Sequence, residues 1–173
     1  MFETLQSVNK YQGRAFSVRQ DQVRLPDDRI THLDIVAHSG AVTILPLDEN
    51  ENVWFVRQYR HATGEEFLEL PAGTLEDGEP PIECARRELQ EEIGMAAADM
   101  QKLGEFFIAP GYSTEYMYVY RATGLIPSVL PGDDDEFISV EIIPLPEVLQ
   151  MVRAGQLRDA KTLAALMLAT VID

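Results

Sequence analysis

Short alternating stretches open the chain, and longer apolar runs follow. Ala15-Phe16-Ser17-Val18 and Gln22-Val23-Arg24-Leu25 read as extended segments on either side of a polar turn at 19–21. Pro26-Asp27-Asp28 makes a second turn, and Thr31-His32-Leu33-Asp34-Ile35 alternates with period two. A meander from about residue 11 to 38 with so little apolar surface cannot stand alone. It must pack on the rest of the chain or on a second copy, so the chain divides into an N-terminal β region, 1–38, and a main domain, 39–173.

In the main domain, 41–47 and 53–60 are apolar runs of buried-strand length, joined by a polar hairpin turn at 48–52. Residues 67–71 form a third strand that feeds directly into a helical stretch. There the period changes from two to 3.6, and Ile82, Ala85, Leu89 and Ile93 share one face. Gly94 is a natural residue to end that helix. Residues 103–109, 116–120 and 137–143 read as further strands, and 124–130 as a loop broken by Pro127. Pro146 opens a helix to about Ala154, closed by Gly155. A last helix runs from Asp159 to about Val171, with Leu163, Leu166, Met167 and Thr170 on one side. The expected architecture is α/β, a mixed sheet with helices packed around it.

Composition narrows the class of partner. A formal net charge of −15 argues against a nucleic-acid backbone or an anionic membrane as a partner. Cys84 is the only cysteine, so no intrachain disulfide can form and a reducing compartment is expected. The first ten residues lack a basic-then-apolar leader pattern, and no apolar run approaches a membrane span. These features point to a cytoplasmic protein. His32, His38 and His61 show no metal-ligand spacing among themselves.

The chemistry concentrates on the first helix. Glu88, Glu91 and Glu92 stand at i, i+3 and i+4, beside the apolar face. Like charges at this spacing destabilise a helix by a few tenths of a kcal/mol per pair, about 0.2–0.5. Arg87 can offset part of that through Glu83 and Glu91, each four residues away. A hard cation placed against the three carboxylates accounts for the rest, because Mg²⁺ takes oxygen ligands and bridges carboxylates to phosphate oxygens. Arg57 and Arg60 put two guanidinium groups at the end of a strand, a composition suited to bidentate phosphate contacts or to salt bridges.

The stretch from Gly73 to Met95 reads G-x5-E-x7-R-E-U-x-E-E-x-G-U, where U is a bulky aliphatic residue, with Met95 a mild departure at the last position. It resembles the Nudix box of hydrolases that cleave a diphosphate linked to another moiety. Further segments are similar to the ADP-ribose pyrophosphatase branch of that family. They are His38-Ser39-Gly40-Ala41-Val42, Arg57-Gln58-Tyr59-Arg60, Glu69-Leu70-Pro71-Ala72-Gly73, 110–115, with Pro110 fifteen residues past Met95, and 158–162. The resemblance implies an α/β/α sandwich with a mixed sheet, and an N-terminal antiparallel β region used in forming a homodimer.

The same resemblance implies roles for individual residues. The metal set would be the carbonyl of Ala72 with Glu88, Glu91, Glu92 and Glu136. Glu136 or Asp134 would be the general base, and Glu91, counted with them as catalytic, would assist Glu88 and Glu92 in holding the metal. Arg57, Arg60, Pro110, Gly111 and Glu115 would contact the substrate. Mg²⁺ (or Mn²⁺) would neutralise the diphosphate and acidify the attacking water, and the acid from the 133–136 run would take its proton. ADP-ribose would then yield AMP and ribose 5-phosphate. Other nucleoside diphosphate sugars, GDP-mannose especially, remain open. So does a non-catalytic ADP-ribose sensor, although such modules usually lose a box glutamate and none is missing here.

Overall fold

The computed structural model of the chain describes residues 1–132 and 136–172. Its contacts divide the chain into two compact units. The first comprises Met1–Gly40 with Phe106–Tyr116, the second Ala41–Glu105 with Met117–Asp173.

The first unit is a three-stranded antiparallel sheet, β1 (Glu3–Gln12), β2 (Ser17–Arg24) and β3 (Ile30–Ala37), in that spatial order. Residues 19–21, expected to turn, instead lie in the middle of β2, where Arg19 pairs with Ile35 and Asp21 with Leu33. Asp21 is buried and accepts hydrogen bonds from Ser7 Oγ (2.5 Å) and Arg19 Nε (3.1 Å). A polar triplet thus reads as a turn in one dimension, while cross-strand partners make it a satisfied strand centre. No hydrophobic pattern marks β1 as a strand, because every one of its residues is exposed. Segment 106–116 joins this unit through β3: Val36 N–H donates to Tyr112 O, Thr114 N–H donates to Val36 O, and His38 N–H donates to Thr114 Oγ1.

The second unit holds two sheets. One has the order β10 (Ile138–Pro144), β5 (Asn52–Arg60), β6 (Glu65–Glu69). The other has the order β7 (Ala72–Thr74), β4 (Ala41–Pro46), β9 (Tyr116–Pro127), β8 (Met95–Phe107). It is mixed, since β4 runs parallel to β9 and antiparallel to β7. All six residues of β4 are buried, as expected of a strand covered on both faces. Helix α1 (Pro81–Glu92) packs on β4 and β7, α2 (Leu145–Arg153) on β10 and β5, and α3 (Ala160–Ile172) on β4. The core between α1 and the mixed sheet is built from Val42, Ile44, Ala85, Leu89, Ile93 and Tyr120.

Four expectations about the second unit also need correction. The 48–52 turn does not close a β4–β5 hairpin, because the two strands enter different sheets and meet only at the bridge Leu47–Val53. The Asp48 carboxylate makes the corner by accepting from the backbone N–H groups of Asn50 and Asn52, both at 2.9 Å. The strand ending at Glu69 does not feed α1 directly: β7 and a loop intervene, and the helix starts at Pro81. Residues 124–127 are strand rather than loop. Gly124, at φ +64°, lies where β9 passes so close to β8 that a Cβ would stand 2.8 Å from that of Ala98. Finally, α3 buries Thr162, Ala165 and Leu166 and leaves Met167 exposed, so its inward face is rotated from the expected one.

Candidate active site

Strand β7 and helix α1 place the box residues face to face. The apolar stripe Ala85, Leu89 and Ile93 sinks into the core, and this turns the adjacent stripe, Glu88 and Glu92, toward β7. Both carboxylates are buried, at 7% exposure. Glu92 Oε2 accepts the Ala72 N–H at 2.9 Å. Glu88 lies over Gly73 so closely that a Cβ there would come 1.7 Å from Oε1 and 1.9 Å from Cδ. The glycine of the motif is therefore a steric requirement: any side chain would occupy the space of the Glu88 carboxylate. Gly94, at φ +68°, follows the C-cap residue Ile93 and ends the helix.

Arg87 holds the charged rim together. Its guanidinium donates to Glu79 (Nε to Oε1 and Nη2 to Oε2, both 3.0 Å), to Glu88 (2.7 Å) and to Glu91 (2.8 Å). Glu79 takes the place expected of Glu83, which instead stands 3.9 Å from Arg86. Eight residues separate Arg87 from Glu79, so only the fold of the 75–80 loop brings them together. The pKa values divide accordingly. Hydrogen bonding to Arg87 lowers Glu79 to about 2. Burial raises Glu88 to about 7, against the pull of Arg87 and with the charges of Glu91 and Glu136 adding. Burial raises Glu92 to about 8, against its Ala72 hydrogen bond and with Glu88 and Glu136 adding. Burial also pushes the Cys84 thiol well up, so this cysteine is not a nucleophile.

A second buried network adjoins the first, and sequence spacing does not bring its members together. Glu69, 2% exposed, receives both prongs of Arg60 (2.9 and 2.6 Å) and the ammonium of Lys161. Lys161 Nζ also pairs with Asp159 Oδ1 at 3.0 Å. Its one signal in the sequence is a lone carboxylate inside the apolar run Phe67-Leu68-Glu69-Leu70, a pattern that requires buried counter-charges.

The remaining expected site residues fall as follows. Arg60 turns its fork to Glu69, whereas Arg57, three residues earlier on β5, pairs with Glu141 of β10. Arg57 also lines a cavity of about 350 Å³ together with Phe67, Met151, Gln156 and Arg158. Glu136 is exposed, and its charge is felt by both Glu88 and Glu92. Asp134 lies outside the described residues. Pro110, Gly111 and Glu115 belong to the first unit, in a turn closed by Ser113 N–H to Ala109 O (2.9 Å), where the Glu115 N–H donates to Ser113 Oγ.

The arrangement suits a hard divalent cation. Every side-chain donor is a carboxylate oxygen, the two central ones are buried beside each other, and Glu136 adds negative charge. Among the described residues, no three His, Cys, Asp or Glu side chains already stand together in metal-ligating positions. Glu88 and Glu92 are held by Arg87 and by the Ala72 amide.

Mixed sheet, glutamate-bearing helix and glycine cradle together define a carboxylate centre of the kind that binds cations through oxygen. Residues 37–166 match the family model of the NUDIX domain, and the chain belongs to that family. The ADP-ribose pyrophosphatase of Mycobacterium tuberculosis is 39% identical over 169 residues, covering 96% of this chain and 82% of its own. The methanol dehydrogenase activator of Bacillus methanolicus is 33% identical, covering 94% and 89%. A GDP-mannose pyrophosphatase of Enterobacter sp. is 33% identical over a shorter stretch, 74% of this chain and 71% of its own. The crystal structure of an ADP compounds hydrolase superposes with a TM-score of 0.86 at 25% identity, covering 98% of this chain and 92% of that one.

Proposed function

We propose that this chain is a Mg²⁺-dependent hydrolase of the diphosphate bond in ADP-ribose, giving AMP and ribose 5-phosphate. The observation that carries the reading is the buried pair Glu88 and Glu92 around the Gly73 cradle, two carboxylates whose ionised forms need a cation. Glu88 and Glu92, with the carbonyl of Ala72 and with Glu91, would hold Mg²⁺ (or Mn²⁺), and Glu136 would complete the set. A cation held by these residues would supply charge neutralisation for the diphosphate and lower the pKa of a nearby water toward neutrality. Glu136, exposed where Glu88 and Glu92 are buried, would take a proton from that water, with Asp134 as the alternative base. Arg87 limits repulsion along the rim and keeps Glu91 beside it. The substrate contacts would be Arg57, Arg60, Pro110, Gly111 and Glu115.

ADP-ribose is favoured over GDP-mannose because the mycobacterial ADP-ribose pyrophosphatase is 39% identical over 96% of the chain, whereas GDP-mannose pyrophosphatases are 33% or 34% identical over 74% to 87% of it. A homodimer formed through the 1–38 region, with 39–173 as the hydrolase domain, agrees with a ten-residue β1 strand whose Leu5, Val8 and Tyr11 are all exposed. A cytoplasmic setting agrees with a single buried free cysteine. No described helix is long and apolar enough to cross a membrane.

Product analysis tests the reading. Incubation with Mg²⁺ and ADP-ribose should release AMP and ribose 5-phosphate, with EDTA abolishing release. GMP from GDP-mannose at much higher kcat/KM would reassign the substrate. Tight ADP-ribose binding without turnover would make the chain a sensor instead.

A further inference from the structure

The segment that presents Ala72 and Gly73 to the glutamates is pinned one polar group at a time. The Glu69 carboxylate is fixed by Arg60 and Lys161. Leu70 N–H donates to Thr162 Oγ1 at 2.9 Å, across 92 residues of sequence. Pro71 O accepts the Ile44 N–H (2.9 Å) and the Thr43 hydroxyl (3.3 Å). Ala72 N–H reaches Glu92.

Thr162 is fully buried, and its hydroxyl donates to Asp159 Oδ2 at 2.6 Å while accepting from Leu70. Asp159 also accepts the Thr162 N–H (3.0 Å), capping α3. The hydroxyl proton is thus committed to Asp159, and its lone pair is left to receive Leu70. One oxygen ties the N-terminus of α3 to Leu70, in the short connection between β6 and β7 that leads to Ala72 and Glu92.

We propose that Thr162, oriented by Asp159 and accompanied by Lys161, is a positioning residue for the cation site, holding the Glu69–Ala72 segment where Ala72 meets Glu92. The proposal rests on the metal reading given above. The Thr162 hydroxyl is occupied by Leu70 N–H and Asp159, and Thr162 is not among the proposed ligands or substrate contacts. It acts through Leu70 and Ala72, as partners that orient metal ligands do elsewhere.

The test compares Thr162→Val, which keeps the shape and removes the hydroxyl, with Thr162→Ser, which keeps the hydroxyl. Three quantities are measured: Mn²⁺ affinity by electron paramagnetic resonance, hydrogen exchange of the amides of Leu70 and residues 72–74 in metal-free protein, and kcat and KM for ADP-ribose. Thr162→Val should weaken Mn²⁺ about tenfold or more, speed exchange at those amides, and lower kcat with little change in KM. Thr162→Ser should restore all three. A Thr162→Val protein that merely melts earlier, with wild-type Mn²⁺ affinity and kcat, overturns the proposal.

If Thr162→Val does not fold, Lys161→Met replaces it, with Lys161→Arg as the restoring change. Unaltered Mn²⁺ affinity and unaltered exchange in Lys161→Met would overturn the proposal equally. Wild-type protein that fails to bind Mn²⁺ or to cleave ADP-ribose would strike the functional reading itself, and is told apart by being seen before any substitution.

Discussion

Replacing Gly73 by alanine isolates the geometry of the site from its stability. The added Cβ would stand 1.7 Å from Glu88 Oε1, 1.9 Å from Cδ and 2.5 Å from Oε2, whereas ordinary contact begins near 3.4 Å. The Glu88 carboxylate must therefore retreat by about 1.7 Å. Gly73 is not in a left-handed conformation, and the atoms in the way are the end of a side chain rather than backbone, so the fold should survive. Misplacing a catalytic group by about 1 Å can lower the rate on the order of 100-fold. Gly73→Ala should accordingly lose roughly that factor in kcat, bind Mn²⁺ more weakly, and melt within a few degrees of wild type. Steady-state kinetics on ADP-ribose, Mn²⁺ titration and thermal denaturation measure the three. A folded Gly73→Ala protein with kcat and Mn²⁺ affinity within a few-fold of wild type would show that Glu88 is not a ligand, and the site would have to be redrawn.

Other outcomes follow from the same charges. Glu92→Gln should lower kcat by orders of magnitude yet raise the melting temperature of metal-free protein, because the amide can still accept from Ala72 without burying a charge; near wild-type turnover would refute the metal assignment. Glu88 and Glu92 have folded pKa values raised above 4.5, so the stability they lend is fully present below about pH 4.5 and lost as pH rises through about 7 and 8. A tenfold difference in proton affinity between folded and unfolded chain is worth about 1.4 kcal/mol. Urea denaturation of metal-free protein should therefore show several kcal/mol less stability at pH 8 than at pH 5, and Mg²⁺ should reverse the loss. Glu79 has the opposite sign: its pKa is lowered to about 2, so its pairing with Arg87 is present above about 4.5 and lost as pH drops toward 2. Arg87→Met should destabilise the fold by about 1–3 kcal/mol, since three partly buried carboxylates lose their shared hydrogen-bond donor; an unchanged denaturation midpoint would contradict that.

Much of this protein is legible in one dimension because the responsible signals are local. Helical periodicity at Ala85, Leu89 and Ile93 fixes which face of α1 is buried, and the neighbouring stripe then carries Glu88 and Glu92 beside that face. Gly94 and Gly155 mark helix ends for the steric reason that L residues avoid positive φ. The apolar runs of β4 and β5 announce buried strands. The tertiary structure decided what depends on partners far along the chain. β1 is legible only through its pairing with β2, since no residue in it is buried. The 19–21 triplet becomes a strand because Ser7 and Leu33 stand opposite it. Arg87 takes Glu79 rather than Glu83 because a loop, not helical spacing, delivers the acceptor. Glu69 with Arg60 and Lys161, and Leu70 with Thr162, are the furthest from sequence legibility. Each is a burial that only partners brought across the fold can satisfy, and a buried charge without them would not be tolerated.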